Sequence, residues 1–311
     1  VLVYNNIKPN MLPKSSCALG MFDGVHLGHQ AVISSARKKA KVYNCPTVTV
    51  TFSTHPQYIT SNTPTPQLTL LEDRLNLFEK IGVDIAIVLD FDKEFSQISA
   101  HQYIEQLLVN GLHAKNISIG FDHRFGRGKR GNQFLLKEYK DHFGYEVQVV
   151  PPFTKAGQIV SSSIIRKLLK YGDIQGANTL LGRDYMLRGS VVKGVQRGRE
   201  LGYPTANIKP HGNVLIPACG VYAVNIQIGK DNYHKVKPGV LNIGYRPTFS
   251  DRTIPTIEAF IFDLNEDIYD KELCLFFKEK IRDERKFDSA EELVEQIKKD
   301  IQYAKQMLSI K

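Results

Sequence analysis

The chain has 311 residues, 42% hydrophobic and 23% charged, with a formal charge of +9. The length exceeds the ~100–200 residues of an ordinary domain, so two domains are expected, and the composition excludes a disordered or fibrous chain. The positive charge calls for polyanionic partners such as nucleotides or nucleic acid. The scatter of the basic residues, with no long Lys/Arg run, weighs against nucleic acid.

Cys17-Ala18-Leu19 reads as the end of a buried strand and residues 30–43 as a helix, so residues 20–29 join strand to helix. Glycines at 20, 24 and 28 allow a tight turn and close backbone approach. A helix N-terminus presents unpaired N–H groups and positive partial charge, which suits a phosphate. His26 and His29 are three apart and can face one ligand from the helix start. Two imidazoles beside phosphates can donate hydrogen bonds and steady developing charge.

Residues 46–52, rich in β-branched side chains, read as the next strand. Thr69 with Glu72 predicts a capping box for a helix with Leu71, Leu75, Phe78 and Ile81 as its stripe and Gly82 as its stop. Residues 85–89 form a buried strand. Ser99 with Gln102 caps a helix that ends at Gly111; residues 117–119, 132–143 and 147–150 read as strand, helix and strand. Strands alternating with helices predict a doubly wound parallel sheet, whose ligands bind beyond the carboxyl ends of the strands. The run Gly126 to Gly131 matches G-x-G-x-x-G, but the preceding strand stops near Gly120. It therefore reads as a basic loop rather than a dinucleotide fingerprint.

A second anion site is predicted at Ser161-Ser162-Ser163-Ile164-Ile165-Arg166, where serines precede an apolar helical run and Arg166 sits one turn in. Helices over 164–171 and 174–180 follow, and the texture then changes, placing a boundary near residues 182–184. Domains of 1–182 and 183–311 are expected. Short strands over 187–193, 222–228, 236–243, 256–263 and 272–279, punctuated by Gly and Pro, predict a small antiparallel barrel. A terminal helix follows, capped by Ser289 with Glu292. Cys17, Cys45, Cys219 and Cys274 are too scattered for a zinc site or a disulfide framework, and a cytoplasmic setting is expected. No run of ~18 apolar residues marks a membrane span. The start carries no signal pattern; it also lacks Met, so the natural N-terminus is expected upstream.

In the barrel, Gly194 and Gly198 flank Arg197 in a loop whose N–H groups can close around a phosphate. Thr205 and Asn207 share one face of an extended segment, and their oxygens are hard ligands suited to Mg²⁺ when nucleotide phosphates complete its shell. Glu258 lies among apolar residues; turned to the barrel mouth it is a candidate general base.

The motif His26-Leu27-Gly28-His29 resembles the H-x-G-H signature of the nucleotidyltransferases. From Cys17 to Gln306 the chain resembles the prokaryotic bifunctional FAD synthetases, which join a riboflavin kinase to an FMN adenylyltransferase. The resemblance rests on residues 22–29, Thr51-Phe52 with His55-Pro56, residues 161–166, Gly202-Tyr203-Pro204-Thr205-Ala206-Asn207, residues 242–249 and Ile281-Arg282-Asp283-Glu284. It implies that Glu258 takes the proton of the riboflavin 5′-hydroxyl, with Mg²⁺ on Thr205 and Asn207 and ATP phosphates near Gly194, Arg197 and Gly198, giving FMN. It further implies that His26, His29, Ser162 and Arg166 carry the charge of a second ATP, beside Gly20, Phe22, Asp23, Gly24, Gly28, Ser161 and Ser163, giving FAD and pyrophosphate. Flavin contacts are implied at His55, Pro56, Asp122, Phe125 and Arg282. Ser163, Thr54 and His123 depart from that family's usual threonine, proline and phenylalanine. The partners are then riboflavin, FMN, FAD and ATP, with no nucleic acid and no membrane. Two alternatives are a chain with one competent module and an RNA-binding barrel; the barrel strands lack the aromatic and basic surface that RNA would need.

Overall fold

Parallel strands cannot be joined by tight turns, and the first half of the chain supplies a helix for most crossovers. The computed structural model of the protein describes residues 1–54, 65–194, 201–229, 236–245 and 255–309. Its first elements are β1 (Leu2–Asn5), β2 (Ser15–Leu19), α1 (Leu27–Tyr43), β3 (Thr47–Phe52), α2 (Leu71–Lys80) and β4 (Ile85–Leu89). Then come α3 (Ala100–Gln102, continued as a π-helical Tyr103–Val109), β5 (Ala114–Gly120), α4 (Gln133–Phe143) and β6 (Glu146–Val150). The sheet order is β1-β4-β3-β2-β5-β6 with every pair parallel. The order reverses between β2 and β5, so the ligand crevice of such a sheet opens where residues 20–26 and 121–126 leave those two strands.

Both sheet faces are covered, as the doubly wound class requires. Cys17 and Leu19 pack with Tyr103, Ile104, Leu108 and Leu136 on one face, while Ala18 points the other way, into Val32, Ile33, Ala36 and Phe78. A small hairpin, β7 (Thr154–Lys155) with β8 (Gln158–Ile159), leads to α5 (Ser162–Tyr171) and α6 (Ile174–Leu181). The chain divides into two compact units, Val1–Ser162 and Ser163–Lys311.

In the second unit β9 (Tyr185–Val192), β10 (Ala206–Pro210), β11 (Gly220–Ile228), β12 (Val236–Gly244), β13 (Thr256–Ile261) and β14 (Glu272–Arg282) close into a barrel. The order is β10-β13-β12-β11-β14-β9, all antiparallel. Alternation sends Ile257, Ala259 and Ile261 inward and leaves Glu258 and Phe260 half-buried on the outer face. The terminal helix α7 (Ala290–Met307) lays Ile301 and Ala304 on that outer face, against Val240, Phe260 and Ala223.

Some local expectations differ from the structure. Leu70, not Thr69, is the N-cap of α2 and makes no side-chain cap bond. The Thr69 hydroxyl instead serves a buried carboxylate, described below, which is worth more than a solvent-exposed cap. Strands β1, β7, β8 and β10 are also additional to the elements expected. β10 lies close to Pro204 and ends at Pro210, and it becomes a strand because β9 and β13 flank it and need a closing partner. By contrast, the Ser99–Gln102 capping box forms in full.

Phe277 lies fully buried inside the barrel, with Tyr185 and Tyr222 at 5.9 and 5.4 Å between ring centroids. Phe277→Ala should cost about 3–5 kcal/mol, seen as a lower denaturant midpoint for the second unit, and a change below ~1 kcal/mol would contradict this packing.

Candidate active sites

The loop after β2 takes an unusual path. Phe22, Gly24 and Val25 have φ of +52°, +91° and +39°. Glycine enters that region freely, but a β-branched valine does so only under strain of about 1–3 kcal/mol. Burial of Phe22 and Val25 in the core beside Phe78 helps hold the strained shape. So does Asp23, whose carboxylate accepts from Leu68 N, Thr69 N and the Thr69 hydroxyl at 2.9–3.3 Å, while Gly24 N donates to the same hydroxyl at 3.0 Å. Ser162 closes the loop from the other side, its Oγ donating to Asp23 O at 2.8 Å.

The loop delivers His26 as the N-cap of α1, its Nδ1 accepting from His29 N at 3.2 Å. The two imidazoles stack with centroids 3.5 Å apart and planes 17° apart, and His29 meets the edge of Phe22 at 5.4 Å. Both rings thus stand together at the start of α1, at the switch point of the sheet. Ser161, Ser162 and Ser163 lead into α5, and Ser162 and Arg166 lie one turn apart on one face of that helix.

Beyond β3 and β5 runs a chain of aromatic rings. Phe91, Phe52, Phe95, Tyr103, Phe125 and His123 follow one another with successive centroids 5.1–6.3 Å apart. In this wall Tyr103 and Phe125 belong to the core, and the half-buried Phe52, Phe91, Phe95 and His123 are the rings able to meet a flat heteroaromatic ligand. Asp122 is exposed at the rim of the wall and Phe125 is buried. Burial pushes the His123 imidazole down to about 4, against a smaller upward pull from Asp122, so the ring is neutral at pH 7. His55 and Pro56 lie outside the described residues.

In the barrel, register assembles the second site. Asn207 on β10 is the direct cross-strand partner of Glu258 on β13, and Glu258 is that of Asn242 on β12. Asn242 pairs with Val221, which pairs with Arg282 on β14. Asn207, Glu258, Asn242 and Arg282 therefore lie along one row around the barrel, with Thr205 two residues before Asn207. Glu258 joins this row on the outer face and does not point into the barrel. A Cβ at Gly194 would collide with the Asn207 amide, so only glycine leaves room for that side chain at this position. Thr205 and Asn207 offer the hard oxygens that Mg²⁺ takes, within a cradle that a larger residue at 194 would fill. Arg197 and Gly198 lie outside the described residues.

Arg282 is pinned. Its Nε and Nη2 donate to both oxygens of Asp300 at 2.9–3.0 Å, and Nη1 donates to Asp283 O at 3.0 Å. Phe287 lies 5.6 Å from the guanidinium, and a cleft of about 500 Å³ opens beside Phe287, Arg285, Glu292 and Gln296.

Two supporting residues went unpredicted although the sequence carries a signal for each. Arg74 occupies the apolar stripe of α2, between Leu71 and Phe78, and is fully buried; Nη1 donates to Met21 O, Thr51 Oγ1 and Phe52 O at 2.9–3.1 Å. Burial lowers its pKa to about 10 and nearby Asp23 raises it, so it stays charged. Asp300 likewise falls on the apolar stripe of α7. A charge on a packing face is the readable signal, although it does not name the partner.

A parallel sheet with stacked histidines at its switch point, followed by a closed barrel carrying a carboxylate beside hard oxygen donors, defines a two-module nucleotide-using transferase. Residues 8–164 match the family model described as FAD synthetase, and residues 181–308 match that described as riboflavin kinase. The bifunctional riboflavin kinase/FMN adenylyltransferase of Bacillus subtilis is 37% identical over 295 residues, 94% of this chain and 92% of that protein. Its counterpart in Haemophilus influenzae is 40% identical over 292 residues, 93% of each. A crystal structure described as a macrolide-efflux protein from Streptococcus pneumoniae aligns with a TM-score of 0.87 and 30% identity, covering 98% of this chain and 99% of that one. Among the described residues no helix is long and apolar enough to cross a membrane. The chain belongs to the bifunctional riboflavin kinase/FMN adenylyltransferase family.

The depressed His123 pKa has a measurable consequence. Between pH ~6.5 and about 4 the unfolded chain binds a proton that the folded ring refuses, so stability falls as pH drops through that window. Replacing His123 with Phe should flatten this part of the stability–pH curve in urea titrations, and an unchanged slope would contradict the burial of the ring.

Proposed function

We propose that the chain makes FAD from riboflavin in two ATP-dependent steps, each at its own site. In the barrel module Glu258 accepts the proton of the ribityl 5′-hydroxyl, and the oxygen forms a bond to the γ-phosphorus of ATP. The bond to the β-phosphate oxygen breaks, ADP leaves and FMN remains. Thr205 and Asn207 would hold Mg²⁺, which when bound neutralises phosphate charge; Gly194, Arg197 and Gly198 wrap the phosphates. Most of the acceleration comes from positioning and charge neutralisation.

In the sheet module an FMN phosphate oxygen attacks the α-phosphorus of a second ATP. Pyrophosphate leaves, and no covalent enzyme intermediate is involved. His26, His29, Ser161, Ser162, Ser163 and Arg166, with the backbone at Gly20, Gly24 and Gly28, oppose the charge on the triphosphate. Phe22 and Asp23 act from below by fixing the loop. The flavin lies against the aromatic wall near Asp122 and Phe125, with His55 and Pro56 on the same substrate. We take the modules to divide near Gly182, the left-handed cap of α6. We take the work to be cytoplasmic, in keeping with four scattered, free cysteines.

The observation that carries this reading is the cross-strand pairing of Asn207 with Glu258, which sets an amide beside a carboxylate. Glu258→Ala should lower FMN formation by about 10²–10⁴-fold while FMN is still converted to FAD, and His29→Ala should lower only the second conversion, by about 10²–10³-fold. Purified protein given riboflavin or FMN with ATP and Mg²⁺, and resolved into FMN and FAD over time, reads both. Loss of both activities in either folded variant would rule out separate sites.

A further inference from the structure

Asp300 is a carboxylate in the middle of a packing stripe. It is 3% exposed on α7, one position before Ile301 and four before Ala304, which touch the barrel. Both oxygens are engaged: Arg282 Nε donates to each at 3.0 Å, Arg282 Nη2 to Oδ2 at 2.9 Å, and Gln296 Nε2 to Oδ1 at 2.7 Å. Gln296 in turn accepts from Arg285 Nη2 at 2.7 Å. The guanidinium groups of Arg282 and Arg285 stand 5.6 and 4.6 Å from the ring of Phe287. Apolar residues of equal volume fasten a helix to a barrel at least as well as a buried ion pair does. What a bidentate pair adds is orientation: the planar fork of arginine can meet both carboxylate oxygens in only one plane.

The register indicates what that plane is for. In an in-line phosphoryl transfer the leaving group and the attacking alcohol stand on opposite sides of the transferred group. Thr205 and Asn207, on the ATP side, lie one strand to one side of Glu258; on its other side α7 packs over Phe260 of β13, Val240 of β12 and Ala223 of β11, and Asp300 of that helix holds Arg282 on β14. The side of Glu258 away from Asn207 is thus the side that α7 covers, and Arg282 is held from that helix.

We propose that Asp300 is a positioning residue for the kinase acceptor: by gripping Nε and Nη2 it locks the Arg282 guanidinium in the plane from which it meets the flavin ring, without itself touching substrate. This rests on the assignments of Glu258 and Arg282 above.

The test uses the full chain with Asp300→Asn, Arg282→Ala and the double variant. KM for riboflavin and for ATP in FMN formation are measured alongside thermal melting. Asp300→Asn should raise the riboflavin KM by about tenfold, leave the ATP KM and the FMN-to-FAD conversion at parent values, and add nothing in the Arg282→Ala background. If Asp300→Asn melts early, Gln296→Leu, which loosens the carboxylate without stranding the arginine, should raise the riboflavin KM alone to a smaller extent. An unchanged riboflavin KM, a parallel rise in both KM values, or additive effects in the double variant would overturn the proposal. An unchanged riboflavin KM in Arg282→Ala would show instead that the flavin contact itself was wrongly assigned.

Discussion

The buried carboxylate of Asp23 is what the nucleotide end of the sheet depends on. It accepts from the backbone of Leu68 and Thr69 and so ties the loop after β2 to the segment that enters α2. That tie, with the burial of Phe22 and Val25 and the bond from Ser162, holds Val25 at a φ of +39°, a region from which a β-branched residue relaxes on its own. Arg74 completes the brace by carrying its charge into the core and spending one nitrogen on Met21, Thr51 and Phe52. A buried cation is tolerable only where acceptors and an opposite charge surround it, and Asp23 supplies the charge. The strain in the loop, the burial of Phe22 and the stacked pair of His26 and His29 are one construction.

The two proposed sites meet one physical problem by different means. A triphosphate carries more charge than a protein interior can accept, so each site meets it at an edge where dipoles and cations converge. In the sheet unit this is the C-terminal edge, where parallel strands stop and a helix begins. In the barrel it is a register row on the outer face, where alternation delivers Asn207, Glu258 and Asn242 from three neighbouring strands to one side. Apolar side chains fill the barrel interior, which leaves the outer face as the place for polar chemistry.

Much of this could be read from the residues. The parallel sheet follows from strands and helices in alternation, and the barrel from short strands broken by Gly and Pro. The paired histidines mark the strand-to-helix junction, and the loop at Gly126 was separable from a dinucleotide fingerprint because no strand runs into it. Local rules erred where a distant partner outbid them. Thr69 carries the pattern of a helix cap, yet its hydroxyl is drawn to Asp23, 46 residues away. β10 has little strand character of its own and exists because an open barrel edge costs more than an imperfect strand.

The amino-acid sequence by itself determined which chemical groups the protein holds and, β10 apart, most of the secondary structures that carry them, since periodicity, turns and caps act over a few residues. Tertiary structure alone decided which of those groups meet: that Glu258 stands between Asn207 and Asn242, that Asp300 grips Arg282, and that Ser162 reaches Asp23 across 139 residues. Those meetings depend on strand register and helix docking, which are settled by the summed packing of a whole core and leave no short-range trace in the chain.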